Sequence, residues 1–534
     1  MLKTLKLTIL AGLLLSFSAL AGPPLYSIAT SVSGQGAITL DPQKSGYQKN
    51  NIVAVEAVAE PGWSFVNWGG DLSGTQNPTT LRVSGEHSIT AVFTADSSSG
   101  GGGGGGSGGG GTVVGVYHPD PLPQRGMIVG YFAQWTIYRR GYLPRHVQAS
   151  GAAGRLDVIN YAFAAPDANL RCASLDTFAD FGKRYDASES VDGIADTVSQ
   201  PLKGNFNQLL KLKQLHPNLR VMISLGGWTE SYRFTEVAKP ENRQAFVKSC
   251  IDMFIRGDVA PGISAAGLFD GIDVDWEYPG SCGNTCDWSA EDAVNFSELL
   301  AEFRSQLDGV AAEVVAAGGN EPEYLLTIAA PAGAANYVPL EDKLGDIQSP
   351  LDWINVMTYD FHGGWESSGP TNHHAALYPS ACEDPDGDWA DKAIQAYRSN
   401  GVPASKLTLG VPFYGRGWRA AAVNDGLCQP ASGVPRGTYE KGVDDYEVLD
   451  AKGKPDYRDE GTGTHWTFDG SQFWSYDDTV SVSWKADYAN CEGLRGVMFW
   501  ELSGDDPNGS LLNALDERLG NVEFTCSATG STPP

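Results

Sequence analysis

Eight short apolar runs recur along the C-terminal four-fifths of this chain, and they restrict its fold more than any other feature. They are Met127–Phe132, Leu156–Phe163, Leu219–Leu225, Gly267–Asp275, Tyr324–Ala330, Trp353–Tyr359, Leu407–Val411 and Leu494–Trp500. Spans with helical spacing, such as Phe206–His216 and Ala290–Val315, lie between them. Eight strand–helix units in one stretch of chain predict an α/β fold, a (β/α)8 TIM barrel. A doubly wound open sheet is the alternative, but no GxGxxG follows the first run. The gap between runs seven and eight is too long for one helix. Its aromatic- and Gly-rich residues 419–490 read as a small α+β insertion.

The fourth run ends in Asp270-Gly-Ile-Asp-Val-Asp-Trp-Glu277. Alternation puts Asp273, Asp275 and Glu277 on one face of a strand, with Ile272, Val274 and Trp276 on the other. A calcium loop would use Gly and polar spacers on a flexible backbone; these spacers are large and apolar. Like charges packed side by side repel, so at least one carboxyl must hold its proton more tightly. That is what a general acid near neutral pH requires. Asp270 is out of phase and reads as structural. Barrels of this kind place their chemistry at the C-terminal ends of the strands. Glu277 lies there, and so do Tyr131, Phe132, Trp135, Gly227, Trp228, Met357, Tyr359, Asp360, Tyr414, Arg416 and Trp500. Any one of these aromatics alone reads as core. Together they read as a cleft lined for stacking on sugar faces.

The octapeptide resembles the DGxDxDxE signature of family 18 glycoside hydrolases, the chitinases. Ser224-Leu-Gly-Gly-Trp228, Met357-Thr-Tyr-Asp-Phe-His-Gly363 and Tyr414-Gly-Arg-Gly-Trp418 are similar to further motifs of that family, in the same order. Gly437-Thr-Tyr-Glu440 and Tyr476-Asp-Asp478 fall in the insertion typical of its deep-cleft bacterial members. The resemblance implies cleavage of chitin and N-acetylglucosamine oligomers with retention, by substrate-assisted catalysis. It implies Glu277 as general acid, Asp275 as orienter of the substrate acetamido group, Asp273 as its proton-sharing neighbour and Tyr359 as a donor to the acetamido oxygen. Asp360 would support the bound sugar. Trp500 would floor the site, Trp228 and Trp365 would stack sugars on the aglycone side, and Trp135 on the glycone side. No cofactor and no metal is expected. A chitin-binding lectin without turnover and an endo-β-N-acetylglucosaminidase acting on N-glycans are the rival readings.

Upstream lies a second organisation. Residues 97–111 are Ser and Gly with a single Gly-rich composition that cannot build a core. They separate a small module, 22–96, from the large one, 112–520, which is followed by a tail, 521–534. The module's alternating runs Leu25–Ala29, Ile52–Val55 and Ile89–Phe93 predict an all-β domain. Its Trp63, Phe65 and Trp68 would form either a sugar-stacking platform or a small core.

Lys3 and Lys6, the apolar stretch Leu7–Leu20 and Ala19-Leu20-Ala21 read as a secretory signal peptide over 1–21. A membrane anchor would need about 20 apolar residues. Eight cysteines fit disulfides in a secreted protein, with Cys282 and Cys286 close enough to pair and a zinc site as the weaker reading. A formal charge of −27, from 37 basic and 64 acidic residues, argues against nucleic acid and anionic membranes as partners. A monomer is expected.

Overall fold

The computed structural model describes residues 25–33, 36–44, 46–49, 51–60, 63–70, 72, 77–85, 87–95, 121–124, 126–520 and 526. The signal peptide, the Gly/Ser linker and nearly all of the tail lie outside the described residues. The chain divides into two compact units, one before and one after residue 112.

In the second unit, eight parallel strands close into a barrel: β1 (Met127–Ala133), β2 (Val158–Pro166), β3 (Arg220–Gly226), β4 (Gly271–Asp275), β5 (Leu325–Pro331), β6 (Trp353–Met357), β7 (Leu407–Pro412) and β8 (Gly496–Trp500). Each pairs with the next, and β8 and β2 both pair with β1. Both faces of every strand are covered, which is why the runs are apolar rather than alternating. In β1, Met127, Val129 and Tyr131 belong to the cluster inside the barrel. Ile128 and Phe132 belong to the larger cluster formed with the surrounding helices.

The insertion is an antiparallel five-stranded sheet in the order Val443–Asp445, Tyr414–Arg419, Gln472–Ser475, Thr464–Phe468, Asp456–Asp459, with a short helix Tyr446–Asp450. Its limits differ from the expected 419–490 at both ends. Tyr414–Arg419 already pairs inside the insertion sheet. The helix Thr479–Cys491 returns to the barrel and packs on β7, β8 and the final helix Ser510–Leu519. That helix begins where it does because the Asp478 carboxylate caps it, accepting from the N–H groups of Val480 and Ser481.

Disulfides join Cys172 to Cys250, Cys282 to Cys286, Cys382 to Cys428 and Cys491 to Cys526. The zinc alternative for Cys282 and Cys286 is thereby replaced by a covalent pair. Asp270 is structural: it accepts from Lys213 Nζ and from the Val221 N–H, both at 2.8 Å, at the foot of β4. No helix among the described residues is long and apolar enough to cross a membrane.

The first unit holds two three-stranded sheets. One runs Ile28–Ser33, His87–Ala95, Trp63–Gly70; the other runs Gly36–Asp41, Ile52–Ala59, Thr79–Arg82. Along Ile52–Ala59 the residues Val53, Val55 and Ala57 are buried and their neighbours are not, as the alternation predicts. Trp68 is fully buried among Val55, Leu81, Ile89 and Phe93, with Trp63 and Phe65 packed on it. These rings build the core of the module, and Trp68 is not part of a sugar-stacking platform.

Candidate active site

The β4 face carries its carboxylates up the barrel axis into three different environments. Asp273 is fully buried. Its Oδ2 accepts from Tyr131 Oη at 2.7 Å and Ser224 Oγ at 2.8 Å; its Oδ1 accepts from Thr327 Oγ1 at 2.6 Å and Asn355 Nδ2 at 3.3 Å. Burial pushes its pKa up, and these four donors oppose the shift.

Asp275, two residues on, is also buried, but its Oδ1 has no hydrogen-bond partner. Burial, then Glu277, then Asp273 drive its pKa well above the usual carboxylate range. Glu277 stands at the mouth. Burial raises its carboxyl to about 7, with the charge of Asp360 adding and a Tyr278 hydrogen bond opposing. The Glu277 N–H donates to Ser231 Oγ at 2.9 Å, which pins the turn after β4.

The end of β3 is shaped to fit this turn. Gly226 and Gly227 have φ of 113° and 84°. A Cβ on Gly226 would lie 2.2 Å from the Asp275 carbonyl oxygen, and one on Gly227 would lie 2.6 Å from the Phe163 ring. Only glycine permits both the conformation and the approach. Gly227 therefore shapes the wall, with no side chain to offer a ligand.

After β6 the chain turns at Asp360, which adopts φ of 60°. Its carboxylate is held bidentately by Arg416, Nε to Oδ1 at 2.5 Å and Nη2 to Oδ2 at 2.6 Å, and accepts from Tyr414 Oη at 2.8 Å. Burial alone would raise this carboxyl; the guanidinium overrides it and holds the group well below the usual range. The Arg416 guanidinium also lies 4.9 Å from the centre of the Trp365 ring. Beside Asp360, the Tyr359 hydroxyl lies 3.7 Å from Met498 Sδ, a weak acceptor.

Asp275, Glu277, Tyr359 and Asp360 line one cleft of about 1100 Å³; Asp273, Gly226 and Gly227 lie outside its lining. Trp135, Trp228 and Trp365 are 44%, 51% and 58% exposed there, which separates them from the core aromatics. Trp500 stacks on Phe163 with ring centres 5.7 Å apart and forms part of the floor with Tyr131. Met357, Tyr414 and Arg416 also line the cleft. Phe132 does not: it points outward from β1 and packs against Tyr142 and Tyr161. The strand period decides this, since a residue next to the inward-facing Tyr131 must face the helices.

Sequence reasoning missed Phe163, Tyr278, Arg140, Asp445 and Asp388, all of which line the cleft. Phe163 closes the second apolar run of the sequence and Tyr278 follows the end of β4, so both are open to discovery by position alone. Arg140 and Asp445 form an ion pair between the loop after β1 and the insertion, which no local pattern announces.

A half-buried acid poised near neutral pH, an unpartnered buried acceptor beside it and an aromatic floor bring together a proton donor, a hydrogen-bond acceptor and a stacking surface in one cleft. A family model described as glycosyl hydrolases family 18 matches residues 127–505, and one described as a divergent InlB B-repeat domain matches residues 26–97. Chitinase C of Streptomyces lividans is 40% identical over 71% of this chain, and Chitinase 63 of Streptomyces plicatus is 38% identical over 75% of it. The matches span 58% and 62% of those two proteins, so the chain accounts for about six-tenths of their length. The catalytic domain of a psychrophilic chitinase B from Arthrobacter TAD20 superposes with a TM-score of 0.70 at 38% identity, covering 78% of this chain and all of that domain.

Proposed function

This chain belongs to glycosyl hydrolase family 18, and on that premise we propose that it hydrolyses the β-1,4 bonds of chitin and of N-acetylglucosamine oligomers with retention. The observation that carries the reading is Asp275 Oδ1, a buried acceptor with no partner, set between Asp273 and Glu277. An N-acetyl group on the sugar above Trp500 supplies the N–H that this oxygen lacks.

Glu277, protonated up to about pH 7, gives its proton to the glycosidic oxygen. The substrate's acetamido oxygen attacks the anomeric carbon as that bond breaks, giving an oxazolinium ion. Asp275 accepts the acetamido N–H and stabilises the positive charge, with Asp273 behind it. Tyr359 donates to the acetamido oxygen. Glu277, now ionised, takes a proton from the water that attacks the same carbon, and two inversions give net retention. Asp360 and Arg416 hold the sugar and the Trp365 platform, Trp228 stacks beside it on the aglycone side, and Trp135 stacks on the glycone side. Residues 112–520 carry this activity as a monomer, without a cofactor or metal. The 22–96 module is an accessory tethered by 97–111. Export through the signal peptide, cleaved after Ala21, suits a chain with four disulfides.

The test is a paired assay of the wild type and Glu277→Gln on chitin and on its oligomers, with products followed by mass. The proposal expects mainly dimer from the wild type and a loss of about 10² or more in the variant. Binding without cleavage by both proteins would make it a lectin on a hydrolase fold. Activity confined to N-glycans would make it an endo-β-N-acetylglucosaminidase.

A further inference from the structure

Below the cleft, the barrel lumen holds a polar layer to which the chemistry above assigns no part. Asn355 on β6 is fully buried. Its Oδ1 lies 2.9 Å from Trp353 Nε1 and 2.9 Å from Thr408 Oγ1 on β7. An indole N–H can only donate, so the amide atom facing Trp353 must be oxygen. The opposite amide atom is then nitrogen, and it points at Asp273 Oδ1 at 3.3 Å. The orientation of this amide is fixed by its neighbours, and towards Asp273 it can only donate.

Asp273 thus has donors on both oxygens: Tyr131 and Ser224 on one, Thr327 and Asn355 on the other. Three of the four are hydroxyls, which can rotate to accept a proton from a neutral carboxyl. Asn355 cannot. We propose that Asn355 is a positioning residue of the reaction: held in one orientation by Trp353 and Thr408, it keeps Asp273 ionised, so that Asp275 carries the proton the two aspartates share.

The inference rests on the function proposed above and deepens it. An ionised Asp273 under Asp275 opposes ionisation of Asp275 in the resting site and stabilises positive charge once substrate is bound. The titratable groups facing Asp273 are Tyr131 from β1, Asp275 on its own strand and Tyr359 after β6. None is a cation. Asn355 is therefore one of the few groups opposing the effect of burial on Asp273.

The experiment compares Asn355→Leu and Thr408→Val with the wild type, using hydrolysis of the N-acetylglucosamine tetramer from pH 3 to 9. Asn355→Leu is expected to move the acid limb of kcat upward by about one unit, a tenfold change in proton affinity, with KM altered less than about twofold. Thr408→Val, which loosens the amide without touching Asp273, should move the limb the same way by less. A drop in kcat with an unmoved acid limb in both variants overturns the proposal. Thr408→Val decides alone if Asn355→Leu does not fold. A second readout is independent of turnover. A carboxyl whose folded pKa is raised contributes stability at low pH that is lost as pH rises through that pKa. The Tm deficit of either variant should therefore widen from pH 4 to pH 7, and a deficit constant with pH overturns the proposal. A wild type that hydrolyses no oligomer would overturn the assigned function, and the Tm series would still decide the role of Asn355.

Discussion

The barrel lumen and the cleft mouth treat their carboxylates in opposite ways. In the lumen Asp273 is met only by neutral donors, and in the mouth Asp360 is met by a bidentate guanidinium. Neutral donors soften the effect of burial without cancelling it, so Asp273 is still raised. A full positive charge overrides burial, so Asp360 is lowered. Asp275 lies between these two solutions with neither form of support, and Glu277 has only the Tyr278 hydrogen bond; both are pushed upward. The gradient teaches that acid strength in this cleft is set by what is withheld from the middle of the row as much as by what is placed at its ends.

The contrast is broken most severely at its centre. Asp275→Asn should lower kcat by about 10² or more on N-acetylglucosamine oligomers, because an amide that presents its NH2 group repels the acetamido N–H, and an undiminished kcat would remove Asp275 from the mechanism. The alkaline limb of kcat/KM for the wild type should lie near pH 7, where Glu277 loses its proton. Activity is present below that pH and lost above it, and a limb unaltered in Glu277→Gln would assign the acid elsewhere.

The same group carries a stability signature. With a folded pKa of about 7 against an ordinary glutamate value of 4.5, Glu277 favours the fold at low pH and loses that contribution as pH rises through 7. Glu277→Gln should thus be more stable than the wild type at pH 8, by at most about 3 kcal/mol, and nearly equal at pH 4. Urea unfolding at the two pH values measures the difference. At the mouth, Asp360→Asn leaves Arg416 without its counter-charge. Solvent screening at this part-exposed pair limits the loss to about 1–2 kcal/mol, and KM for longer oligomers should rise as Trp365 loses its anchored neighbour. Smallest of all, deletion of residues 22–111 should change kcat on a soluble tetramer by less than about twofold. A larger change would tie the module to the site itself rather than to the polymer.

Legibility followed the range of the interactions involved. The eight strands and the shared face of Asp273, Asp275 and Glu277 were readable because strand periodicity is local. Phe132 was misplaced for want of applying that same period to a pair of adjacent aromatics. The insertion limits were off because Tyr414–Arg419 has strand character in either sheet, and only its partners Val443 and Ser475 decide which. In the small module, three aromatics in six residues fit a platform or a core equally well until Trp68 is seen enclosed by both sheets.

The sequence by itself determined the strand count, the order of the carboxylates and their position at a strand end, since covalent spacing and side-chain polarity suffice for these. Only the tertiary structure decided what each carboxylate is worth as an acid. Acidity depends on burial and on donors brought from distant strands: Asn355 from β6, Thr327 from β5, Arg416 from the insertion. Nothing in eight consecutive residues can specify those distances.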